Sequence, residues 1–149
     1  LAERGIEVEI VPGVTTAVGA CAAAGIPLTH RDAGQSVALI TGHFDPASPE
    51  CTHDWAALAK MSTLVVYMGL RHLDAITAKL VEAGMNPFTP AAVIANATLP
   101  NQIVIDSALS LIADESRDLP APAILIVGEV VGSLRQPLAV SRLLQGASA

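Results

Sequence analysis

Residues 62–84 read STLVVYMGLRHLDAITAKLVEAG, and this stretch decides the fold. Its opening, residues 62–68, is apolar almost throughout and rich in β-branched side chains, the pattern of a strand buried on both faces. Gly69 ends that run. Beyond it Leu73, Ile76, Leu80 and Val81 recur at the spacing of one helical face, and Gly84 closes the helix. Strand, turn and helix in direct succession are the building unit of an α/β protein.

The same alternation extends in both directions. Upstream, residues 8–11 form a short apolar strand closed by Pro12-Gly13. Residues 15–24 predict a helix of small residues, with Thr15 or Thr16 capping its first turn and Gly25 stopping it. SVALIT, residues 36–41, is a strand ending on Gly42-His43, and after a Pro-rich loop Asp54 caps a helix over 55–60. Downstream, residues 91–96 predict a strand, 103–105 a short strand turning into a helix near Asp106 or Ser107, and 123–127 a buried strand before Gly128. Residues 138–144 read as an amphipathic or frayed tail. The link between 91–96 and 103–105 is too short for a crossover helix, so those strands pair antiparallel. The prediction is a three-layer α/β sandwich around a mixed, mostly five-stranded sheet.

Composition bounds the function. The 149 residues suffice for one domain with a real core. Hydrophobic residues are 52% and aromatics only 3%, so the core is built from Val, Ile, Leu and Ala. A net charge of −6, with Lys60 and Lys79 the only lysines, argues against nucleic-acid binding. No apolar run reaches the roughly 18 residues that span a bilayer. Cys21 lies among alanines and Cys51 in a polar loop, without zinc spacing, and a reduced cytoplasmic setting is expected. The chain opens without Met on Ala2-Glu3-Arg4-Gly5, which reads as a helix end stopped by glycine, so it is expected to belong to a longer protein.

Three apolar strands end in glycine-containing turns, LITGH, VVYMGLRH and ILIVGEVV. Ligands of open α/β sheets collect beyond carboxyl strand ends, which makes a ligand site there the expectation, although the glycines taken alone are explained as plain strand ends of an α/β domain. There is no G-x-G-x-x-G, no Walker pattern and no G-x-S-x-G elbow. The histidines match no zinc signature, so no metal site is assigned. His30, His43 and His72 follow element ends where a polar cleft can form, and for His30-Arg31 and Arg71-His72 an anion contact competes evenly with plain exposure. No residue is assigned as the catalytic base.

The blocks VEIVPGVTTAVGACAAAGIPLTHRD, ITGH, TLVVYMG, ANATLPNQ and PAILIVGEVVGSLR, in this order, resemble the C-terminal part of the uroporphyrinogen-III C-methyltransferases. These form a branch of the S-adenosyl-L-methionine-dependent tetrapyrrole methylases. The resemblance implies a second domain over 14–149, preceded by the end of a linker and a first strand over 1–13, with the family's N-terminal domain missing. It implies S-adenosyl-L-methionine as methyl donor, uroporphyrinogen III as substrate, precorrin-2 as product for sirohaem or cobalamin, and a homodimer. The donor contacts of the family map onto Thr15, Thr16, Met68 and Ala97. Read without the family, the threonines are a helix cap, Met68 core filling and Ala97 strand packing. His30, Arg31, His43 and Arg71 are candidates for the substrate's carboxylates. A later precorrin methyltransferase, or a fragment serving only in dimerisation when isolated, is the competing reading.

Overall fold

A computed structural model describes residues 1–132. The expected tail over 138–144 and the final residues of the last motif block lie outside the described residues. Five strands form one sheet: β1 (Val37–Thr41), β2 (Thr63–Tyr67), β3 (Pro90–Ala95), β4 (Ile103–Ala108) and β5 (Ala123–Val127). The helices are α1 (Thr16–Ala24), α2 (Trp55–Leu58), α3 (Leu73–Glu82) and α4 (Ile112–Glu115).

The strand order is β1-β2-β5-β3-β4. β1 pairs parallel with β2, while β2 with β5, β5 with β3 and β3 with β4 pair antiparallel. The sheet is therefore mixed, as expected. β1, β2 and β3 run one way and β4 and β5 the other, so the carboxyl ends of the first three gather at one edge. That edge carries the site.

Both sheet faces are covered. Leu64, Val66, Val93 and Leu125 meet Leu73, Ile76 and Leu80 of α3 and Ile112 of α4 on one side. Val65, Ala92, Ile94, Ile124 and Ile126 meet Ala17, Ala20 and Cys21 of α1 on the other. This alternation of neighbouring residues between two apolar clusters is the pleat of a doubly covered sheet. It makes the three layers. α1 approaches closely because alanines line its inner face, and Gly25 ends it with a left-handed backbone, φ 71°.

Three expectations need correction. Residues 8–11 form no strand: residues 6–14 carry no regular secondary structure, and Ile6, Val8, Ile10, Val11 and Val14 are exposed. An apolar run becomes a strand only when another strand supplies its hydrogen bonds, and no described strand lies beside this one. The strand over 103–105 extends to Ala108, with Asp106 opposite Ala92 and Ser107 opposite Ala91, and a helix begins only at Ile112. Here the six-residue ladder offered by β3 overrides the polar side chains that suggested a helix start. Gly128 ends β5 at the opposite edge from Gly42 and Gly69, because β5 is antiparallel to its neighbours.

Candidate functional site

α1 enters the carboxyl edge through an uncommon cap. Thr15 occupies the N-cap position, yet its side chain bonds no helix amide. Its Oγ1 lies 2.6 Å from the hydroxyl of Tyr67, the last residue of β2. That hydroxyl accepts the Ala17 amide at 3.1 Å, so a side chain from the sheet does the capping expected of a threonine. Thr15 is thereby positioned rather than consumed as a cap.

Beside this junction lies a hollow of about 340 Å³, lined by Val14, Thr15, Thr16, Gly19 and Ala20 on the helix side and Ala97 and Thr98 on the loop after β3. Its size falls within the range of small-molecule sites. Small residues create it. A Cβ at Gly19 would meet nothing nearer than Val14 Cγ1 at 4.0 Å, so any larger side chain there would occupy the space itself. The left-handed non-glycine residues among those described are Met68 (φ 54°), Asn96 (φ 50°) and Thr98 (φ 69°), all just beyond β2 or β3. Such backbone strain concentrates at functional sites.

The structure brings together Thr15, Thr16 and Ala97 from separate elements. Met68 does not line the hollow; it stands at the same edge next to Tyr67, 62% exposed, which removes the core-filling reading. His43 and Arg71 follow β1 and β2 at this edge, both exposed, with the His43 ring edge-on to Phe44 at 5.0 Å. Around them His72 Nδ1 lies 3.9 Å from Asp45, and His53 Nε2 meets the Thr41 carbonyl at 2.8 Å.

His30 and Arg31 lie elsewhere. They belong to a tight loop closed by paired backbone bonds between His30 and Gly34, where the His30 Nδ1 accepts the Asp32 amide at 3.2 Å. Gly34 packs against Ser62 and Thr63, at the start of β2. This is the opposite end of the sheet, so these two residues do not share a cleft mouth with His43 and Arg71. The glycines that close β1 and β2 are likewise structural: a Cβ on Gly42 would sit 2.7 Å from Ile76 Cδ1 and 2.8 Å from Gly69 Cα.

No Asp, Glu, His or Lys lines the hollow, so it offers binding and orientation, without a base. Cys21, buried behind the helix entry, is no nucleophile, because burial pushes its thiol up to about 11 and keeps it protonated. No group of three or more His, Cys, Asp or Glu among the described residues is arranged to hold a metal ion. No helix among the described residues is long and apolar enough to cross a membrane. The Ala17 amide meets Tyr67 and those of Val18 and Gly19 meet the Thr15 carbonyl, so what the arrangement offers is the Thr16 amide, two hydroxyls and a wall of small side chains. A carboxylate or hydroxyl-bearing ligand with a flat apolar portion matches it.

The family model for Tetrapyrrole (Corrin/Porphyrin) Methylases matches residues 1–113. The chain belongs to the tetrapyrrole methylases. It is 48% identical over 139 residues to siroheme synthase 1 of Klebsiella pneumoniae, covering 93% of this chain and 29% of that relative. It is 45% identical over 133 residues to a siroheme synthase of Neisseria meningitidis, covering 89% of this chain and 27% of the relative. The chain therefore spans under a third of the length of these curated relatives. Among solved structures, it superposes on a uroporphyrin-III C-methyl transferase from Thermus thermophilus complexed with S-adenyl homocysteine, with a TM-score of 0.74 and 31% identity over 89% of this chain and 57% of that one. A cobalt precorrin-4 methyltransferase gives a TM-score of 0.75 at 26% identity, over 87% of this chain and 55% of the other.

Val14, Gly19, Ala20 and Thr98 line the hollow and Tyr67 holds its entry, and sequence reading assigned none of them to a site. A signal for Tyr67 existed: it is the single tyrosine of the chain, placed at the end of an aliphatic strand. A half-buried aromatic with a polar tip favours a partner for that tip.

Proposed function

We propose that this chain forms the donor-binding part of a uroporphyrinogen-III C-methyltransferase that makes precorrin-2. The observation that carries the reading is the convergence of Thr15, Thr16 and Ala97 on one hollow at the carboxyl edge of a tetrapyrrole methylase sheet. Similarity to a transferase described as complexed with S-adenyl homocysteine supports S-adenosyl-L-methionine as the donor. In this reading the Thr16 amide at the start of α1 and the Thr15 and Thr16 hydroxyls hold the polar end of the donor, while Ala97 and Gly19 leave room for its body. Met68, outside the hollow but at the same edge of the sheet, supplies a flexible apolar contact.

The donor supplies an electrophilic methyl on sulfur. Attack by a pyrrole carbon forms the C–C bond as the S–C bond breaks, and the ring then loses a proton. The contribution of this chain is alignment and exclusion of water, the major terms for an in-line displacement. Exposed His43 and Arg71 are the candidates for the substrate's carboxylates, Arg71 having no ion-pair partner among the described residues.

The exposed apolar stretch at Ile6, Val8, Ile10, Val11 and Val14 supports the further reading that residues 1–13 join this domain to a preceding one, which completes the cleft. A cytoplasmic homodimer is part of the same proposal, supported by the 52% hydrophobic content and by Ile103 and Val104 exposed on the edge strand β4. Mass spectrometry of the product formed by the complete gene product from uroporphyrinogen III tests the reaction. Two added methyl groups are expected; methylation only of a later corrin precursor would assign the chain to the other branch.

A further inference from the structure

We propose that Gln102 is a positioning residue for the hollow: its carboxamide ties the loop forming one wall to the end of the helix forming the other. The inference rests on the donor-site reading above. The loop after β3 folds through two tight turns, with the Leu99 amide donating to the Asn96 carbonyl at 3.1 Å and the Gln102 amide to the Leu99 carbonyl at 3.0 Å. Within it Ala97 is flanked by Asn96 and Thr98, both left-handed. For Thr98, a β-branched residue, that backbone is unfavourable and needs something to hold it.

Gln102 provides the hold. Its Oε1 accepts the Thr98 amide at 2.7 Å, a short bond to the residue that lines the hollow. Its Nε2 points to the Ala23 carbonyl at 3.5 Å, in the last turn of α1, where helix carbonyls lack intrahelical partners. The two partners fix the carboxamide orientation, since an amide can only donate and a carbonyl only accept. α1 is thus fixed to the sheet at its start by Tyr67 and to the loop at its end by Gln102. Together these contacts set the distance between Thr16 and Ala97. Only a long side chain carrying an acceptor and a donor in one plane does this. Glutamate keeps the acceptor and turns the donor into a charge facing a carbonyl; leucine keeps the bulk and loses both.

The test uses the complete gene product, with S-adenosylhomocysteine titrated calorimetrically into the parent, Gln102→Leu, Gln102→Glu and Thr16→Trp proteins. Steady-state kinetics and melting temperatures accompany the titrations. Gln102→Leu is expected to weaken binding about tenfold, the scale of one well-placed hydrogen bond, and Gln102→Glu less. KM for the donor rises while kcat at saturation stays within about twofold, the signature of lost uniform binding. A merely structural role would lower the melting temperature and leave affinity and KM alone, and that result overturns the inference. If Thr16→Trp loses affinity while Gln102→Leu keeps it, the inference alone fails. If both keep it, the donor-site reading fails and takes the inference with it.

Discussion

At the scale of single residues, the account turns on Tyr67. Its hydroxyl accepts the Ala17 amide at 3.1 Å and meets Thr15 Oγ1 at 2.6 Å. Tyr67→Phe keeps the ring and removes both bonds, leaving a first-turn amide without a protein partner. Urea denaturation is expected to show a loss of about 1 kcal/mol, together with weaker donor binding. A variant as stable as the parent would place the cap elsewhere. The sequence displayed Thr15 and Thr16 as a cap because hydroxyls before an apolar helix commonly serve that way. A partner 52 residues away is invisible to that rule. Residue identity near the site was legible; which side chain bonds which amide was not. His30 shows the same limit, since a basic pair after a helix gives no sign of the sheet edge it will reach.

At the scale of elements, close backbone approach explains the glycines better than a ligand does. Gly42 faces Ile76 Cδ1, Gly69 Cα and Val66 Cγ1, with an added Cβ at 2.7–2.9 Å from them. Gly42→Ala is expected to cost about 1–3 kcal/mol by overpacking, read as a lowered urea midpoint. Unchanged stability would mean that the β1 and β2 ends are not pressed together. Gly128 is more restricted still, at φ 142° with a Cβ position 2.3 Å from the Ser62 carbonyl oxygen. β1, β2, β3 and β5 followed from apolar runs and α3 from helical spacing of apolar residues, because burial imposes both, while α1 and α2 followed from capping residues and, for α1, the stop at Gly25. β4 was under-read: Asp106 and Ser107 look like a helix start, and the ladder from β3 pairs them as strand. Residues 8–11 were over-read for the converse reason, an apolar run without a described strand beside it.

At the scale of the whole molecule, the mixed strand directions do the functional sorting. Running β1, β2 and β3 in one sense gathers His43, Met68, Arg71 and Ala97 at one edge and leaves His30, Arg31 and Gly128 at the other. No local motif carries that information, because it depends on the antiparallel insertion of β5 between β2 and β3. The hollow lies at the first of these edges, and the side chains of Ile6, Val8, Ile10, Val11 and Val14 are exposed. The central claim is that the methyl donor lodges between the α1 entry and the loop carrying Ala97. Calorimetric titration of S-adenosylhomocysteine into the complete gene product and its Thr16→Trp variant tests it most directly. The indole is predicted to fill much of the 340 Å³ hollow and lower affinity at least about tenfold, a loss of roughly 1.4 kcal/mol. Equal affinity in a folded variant would contradict the account.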